Sequence, residues 1–188
     1  MSRAPSNEKL EASMKRLVIC LSAFLFWTTA PAMAAMTLTS NDIQAGGTIA
    51  PAQIYTRCGG ENISPQLSWS GVPAGSKSLV LTMIDTSVKP SQWSHWIVVD
   101  LPPATTTLAR GTQALPGSAR AITSNFGDAS YAGPCPPDGT GVHEYQITIW
   151  ALPMPAISLA ADMKATDLAA KLAKSALDHA TISGFVKR

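Results

Sequence analysis

Apolar residues in this chain come in short runs, broken at close intervals by turn residues. Ser78–Asp85 reads Ser-Leu-Val-Leu-Thr-Met-Ile-Asp, apolar on both faces, which predicts a central strand covered from both sides. Residues 95–100 predict a second strand, stopped by Leu101-Pro102-Pro103. Residues 143–152 predict a third, in which His143, Tyr145, Ile147 and Ile149 share one face. Helical periodicity appears once in the second half: Leu168, Leu172 and Ala176 recur every four residues with Leu177 alongside. Thr166 stands where an N-cap would, and the helix is expected to end near His179, with a last short strand over 181–186. Fourteen prolines and thirteen glycines punctuate the chain, with no internal repeat and no linker. The pattern implies a mainly β domain with one amphipathic helix near the C-terminus.

The first stretch reads differently. Lys15-Arg16 is a short positive region, residues 17–28 are apolar, and Ala30-Pro31-Ala32-Met33-Ala34 ends in an Ala-x-Ala cleavage pattern. This is the order of a secretory signal peptide, and its apolar run is too short to span a membrane. Residues 1–13 are polar and precede Met14, which makes Met14 a second candidate start. Residues before Cys20 are bulky and the apolar run continues past it, which argues against lipidation there. The expected division is thus an N-terminal extension and leader over 1–34 and one domain over 35–188, periplasmic or secreted.

Removing the leader changes the charge. It carries Arg3, Lys9, Lys15 and Arg16 against Glu8 and Glu11, so the formal charge of +2 belongs to it, and ten basic and ten acidic residues remain. A neutral domain has no broad basic face, which argues against nucleic acid or an anionic membrane as the main partner. Two cysteines remain, Cys58 and Cys135, and an even count in an oxidising compartment suggests that they bridge.

Candidate chemistry gathers at strand ends. Asp85 closes the first strand and His95 opens the second, so an antiparallel hairpin would place them at one end of a sheet. His143 and Tyr145 open the third strand, and reach the same mouth if it runs parallel to the second. Upstream, Tyr131-Ala132-Gly133-Pro134-Cys135-Pro136-Pro137-Asp138-Gly139-Thr140-Gly141 is stiff at its prolines and open at its glycines. Glycines admit close backbone approach and can aim N–H groups at an anion. With histidine donors, that favours a phosphate or carboxylate group. Taken singly each residue also fits a structural role: His95 a core histidine, His143 a surface residue after a turn, Asp85 a turn cap. A nucleophile elbow, P-loop, dinucleotide fingerprint and zinc-protease motif are all missing. Two histidines and a carboxylate could also form a metal site, the basis of a weaker hydrolase reading.

These residues resemble a known family. Residues 61–69 (Glu-Asn-Ile-Ser-Pro-Gln-Leu-Ser-Trp), Gly71-Val72-Pro73-Ala74-Gly75, Trp93-Ser94-His95-Trp96, 131–137 with Gly139, His143-Glu144-Tyr145 and the closing 180–188 are similar, in order and spacing, to the phosphatidylethanolamine-binding family and its bacterial Raf-kinase-inhibitor-like branch. The likeness runs from about Met36 to Arg188. It implies a large central antiparallel sheet packed on a smaller one, and a non-catalytic pocket for phosphate or phosphorylated head groups, without cofactor. It places the pocket at Asp85, His95, His143 and Tyr145, with Gly133 and Pro134 on the rim. Inhibition of a kinase or protease, known for some members, is the second functional class. One departure stands out: the family's Asp-Pro-Asp is here Asp85-Thr86-Ser87, followed by Val88-Lys89-Pro90, which alters the rim and puts head-group specificity in question.

Overall fold

The structure is a computed structural model and describes residues 34–160 and 163–188. Apart from Ala34, the expected leader and both candidate starts lie outside the described residues. Nine strands and one α-helix follow in order: β1 Thr37–Thr39, β2 Gly47–Thr48, β3 Leu67–Ser70, β4 Ser78–Asp85, β5 Trp93–Leu101, β6 Thr107–Leu108, β7 Arg120–Ala121, β8 Val142–Leu152, α1 Ala165–Ser175 and β9 Asp178–Lys187. Short 3₁₀ turns occupy Pro51–Gln53 and Thr56–Cys58. Six strands form a sheet in the order β2-β9-β8-β4-β5-β7, and three form a smaller one, β1-β3-β6. All pairs are antiparallel except β2 with β9. This is the expected class, a large sheet packed on a smaller one with one helix late in the chain.

The apolar pattern of β4 explains its central place. All eight of its residues are buried. Leu79, Leu81 and Met83 pack with Leu38, Leu67 and Trp69 of the small sheet. Val80 points the other way and joins Leu168 and Leu172 of α1. Burying each such side chain stabilises by about 1.5–3 kcal/mol. The strand is thus covered on both faces, as its sequence requires.

The helix and last strand differ from the sequence expectation. Lys164, not Thr166, is the N-cap, and no side chain caps the end. Thr166 lies inside the first turn, its amide donating to the Ser91 carbonyl. The helix stops at Ser175, because the chain is recaptured by the sheet: Leu177 N–H donates to Ala151 O and Asp178 pairs with Ala151. The last strand is therefore ten residues long, beginning at Asp178. Its first half alternates half-buried and exposed positions, so it carries no apolar run.

Candidate functional site

Strands β5 and β8 flank β4, each antiparallel to it, so they run parallel to each other. The end of β4 therefore meets the starts of both neighbours: Asp85 pairs with Trp93 on one side and Tyr145 on the other. Asp85, His143 and Tyr145 share the face that packs toward the small sheet, by simple alternation. His95 does not follow alternation. Met83 pairs with Trp96 and Ile84 with Ser94, so His95 is an extra residue, a β-bulge. Trp96 and Val98 face the small sheet, Ile97 and Val99 the helix. Alternation alone would send His95 to the helix side. The bulge turns it instead to Tyr145, with ring centroids 5.1 Å apart.

These side chains line a cavity of about 370 Å³. Asp85, His95, His143 and Tyr145 are each at least nine-tenths buried. His143 Nδ1 lies 2.6 Å from Asp85 Oδ2, and the other Asp85 oxygen accepts from the Ser87 amide at 2.8 Å. Asp85 thus orients the imidazole, and both its oxygens are engaged. His143 Nε2 lies 2.9 Å from Thr140 Oγ1, which is 2.7 Å from the Pro137 carbonyl. The single hydroxyl hydrogen can serve only one of the two. When it is given to Pro137, Thr140 Oγ1 can only accept from the ring; when it turns to Nε2, it donates.

His95 donates Nδ1–H to the Ala132 carbonyl at 2.9 Å, which leaves Nε2 for the cavity. Burial holds its imidazole below the ordinary histidine range; the Ala132 backbone and the Asp85 charge oppose that. Burial, and then the Asp85 charge, push the Tyr145 phenol well above its usual range. Asp85 and the Cys135 backbone lie near that phenol, yet neither has the geometry of a hydrogen bond, and Tyr145 Oη is buried without a partner. A buried hydroxyl in this state is ready to donate to whatever enters.

Two expected rim residues sit one layer back. Gly133 packs on the turn Pro51–Gln53: a Cβ there would lie 2.0 Å from the Gln53 carbonyl oxygen. Its amide donates to Asn62 Oδ1 at 2.8 Å, and Pro134 O accepts from the Tyr55 amide at 3.0 Å. The cavity is lined instead by Cys135, Pro136 and Pro137. Cys58 and Cys135 are joined in a disulfide, with Cα atoms 5.5 Å apart.

Several lining residues escaped the sequence reading. Arg57, beside Cys58, is exposed and supplies a permanent positive charge at the mouth. Trp93, 39% exposed, and Phe126, whose ring lies 4.9 Å from His95, add apolar wall. The departure at Asp85-Thr86-Ser87 is held by hydrogen bonds instead of a proline ring. The Thr86 amide donates to Glu144 O, and Ser87 Oγ accepts from Glu144 N at 3.0 Å. Hydrogen bonds from Ser183, Gln146 and Thr86, with the Lys89 charge, hold Glu144 below the ordinary carboxylate range. Lys89 therefore acts on Glu144 and does not line the cavity. Among the described residues no three of His, Cys, Asp and Glu are grouped to hold a metal, and no helix is long and apolar enough to cross a membrane.

Known proteins resemble this chain in sequence and fold. The sequence profile described as "Phosphatidylethanolamine-binding protein" matches residues 39–187. The UPF0098 protein YbcL of Escherichia coli K12 is 37% identical over 147 residues, spanning 74% of this chain and 80% of YbcL. LppC of Mycobacterium tuberculosis H37Rv, named as a candidate lipoprotein, is 33% identical over 157 residues, 84% of this chain and 75% of LppC. The crystal structure of E. coli YbcL, described as a new member of the mammalian PEBP family, superposes with a TM-score of 0.75 at 32% identity, over 82% of this chain and 99% of that one. On profile, sequence and fold together, this chain belongs to the phosphatidylethanolamine-binding protein family.

Proposed function

We propose that this protein is an exported binding protein that holds a small anionic ligand, a phosphate or a phosphate-bearing head group, in the cavity at the ends of β4, β5 and β8. The observation that carries the reading is the donor set. Tyr145 Oη is buried without a partner and Arg57 stands at the mouth; His95 Nε2, left for the cavity because Nδ1–H is given to Ala132 O, joins them as a donor only when the ring is protonated. An anion would gain charge-assisted bonds here, each contributing roughly 1.5–3 kcal/mol when desolvated. It would also compete with Thr140 for His143 Nε2. Export is supported by the leader pattern over residues 15–34, by the disulfide and by a relative named as a candidate lipoprotein.

Calorimetric titration with inorganic phosphate and O-phosphoethanolamine tests the site. His143→Ala should weaken binding about ten- to a hundredfold with the fold intact. Arg57→Ala, at an exposed position, should weaken it less, and the difference should shrink as salt is added. If both variants bind both probes as the parent does, the anion site is elsewhere. The exposed Trp93 at the same mouth supports a second reading, a protein partner engaged through this surface. Capture of a partner from an envelope extract, undisturbed by excess phosphate, would favour it.

A further inference from the structure

A second, larger cavity of about 870 Å³ opens where the two sheets end, beside the loop after β6 and the short edge strand β7. It shares no lining residue with the first. The two stand back to back across one partition. His95 Nδ1–H donates to Ala132 O at 2.9 Å, and Ala132 N–H donates to His95 O at 3.2 Å. His95 lines the first cavity, while its chain neighbour Trp96 and Ala132's neighbour Tyr131 line the second, their rings edge-to-face at 5.4 Å.

Ser64 lines this second cavity, is 3% exposed, and its Oγ is buried without a hydrogen-bond partner. A hydroxyl in that state is rare in folded proteins and invites a ligand group. Thr112 and Ser130 add hydroxyls to the wall, and Gln113 an amide. Two charged residues line it. Arg110 is already paired with Asp42 at 3.1 Å, and Glu61 is exposed and negative. Arg110, Asp42 and Glu61 together carry no net positive charge, which favours a neutral occupant over an anion.

We propose that this cavity is a second ligand site, for a neutral, hydroxyl-bearing molecule of about disaccharide size. Hydroxyl and amide groups exchange hydrogen bonds with hydroxyls without demanding charge. Ile63, Leu115 and Ala119 add apolar wall beside the small exposed parts of Trp96 and Tyr131, and the volume lies in the ordinary range for small-molecule sites.

The test is NMR titration of the ¹⁵N-labelled full chain with N,N′-diacetylchitobiose and with maltose, to tens of millimolar. The amides of Ser64, Gly111 and Ser130 should shift with at least one disaccharide, while those of Val88 and Cys135 stay in place. Sulfate should do the reverse. Ser64→Ala should weaken disaccharide binding roughly three- to tenfold. Ser130→Trp, at an exposed position on the rim, should abolish it by filling the space while leaving a folded spectrum. Silence at these amides with both disaccharides overturns the proposal, as does binding that persists unchanged in both variants.

Discussion

At the scale of single residues, the site depends on where protons sit. Burial disfavours the charged form of His95 and holds its imidazole below the ordinary histidine range. An unfolded histidine takes up a proton near pH 6.5, so the unfolded chain binds more protons below that value. The contribution of His95 to stability is therefore present above about pH 6.5 and is lost as the pH falls below it toward the depressed folded value. Urea unfolding between pH 7 and 5 should show this slope, and His95→Leu should flatten it. Saturating sulfate, whose charge is constant in that range, should reduce the slope by favouring the protonated ring. A slope equal in parent and His95→Leu would show that other groups carry it. Improved anion binding through this histidine accordingly belongs below pH 6.5, lower than the free imidazole suggests. Thr140 offers a second test. Its hydroxyl occupies His143 Nε2, the atom the proposed anion would need, so Thr140→Val should tighten sulfate binding roughly two- to tenfold. Weaker binding in calorimetry would mean that Thr140 belongs to the ligand's own contacts. The residue types of this site were readable in the sequence, but their bonding was not. Nothing in Gly-Thr-Gly-Val-His announces that the threonine hydroxyl reaches the ring of the histidine three residues on.

At the scale of elements, strands declared themselves where both faces are apolar. Ser78–Asp85 was legible to the residue, since an all-buried strand reads as an unbroken apolar run. The start of β9 was not, because Asp178, His179, Ala180 and Thr181 are half-buried or exposed and carry no apolar run. Glycine was the most ambiguous signal. In a Gly-Pro-Cys-Pro-Pro loop, an open backbone suits either ligand approach or chain crossing, and only the fold decides. Here Gly133 is a crossing point of two chain segments. Gly133→Ala would drive a methyl group into the Gln53 carbonyl, so it should destabilise by roughly 2–4 kcal/mol, seen as a lower denaturation midpoint. An unchanged midpoint would show that the turn Pro51–Gln53 yields freely. Arg57 was invisible for the opposite reason. It is a lone cation in a loop distant in sequence from every other site residue, and only the three-dimensional path brings it to the mouth.

At the scale of the whole molecule, one covalent link spans the domain. Cys58 and Cys135 are 77 residues apart in sequence, and the segment between them holds β3 to β7. Closing a loop of that size restricts the unfolded chain by about 4 kcal/mol in the chain-entropy account. Urea unfolding with and without a phosphine reductant should differ by about that amount, and thiol titration of the denatured, unreduced chain over residues 35–188 should find none free. Coincident unfolding curves would show that the link adds nothing to stability. The same view of the whole molecule gives the bulge at His95 a consequence for chain length. A strand counts its residues by twos, and one supernumerary position inverts the count for everything on one side of it. Shortening β5 by a single residue before Trp96 would leave its pairing partners, its apolar composition and its place between β4 and β7 available, yet hand the seat of the imidazole to a neighbour. The fold tolerates that loss of phase and the site does not. Tolerance to insertion and deletion, mapped position by position along residues 93–96, would therefore separate the residues that make the sheet from the one that makes the cavity chemical.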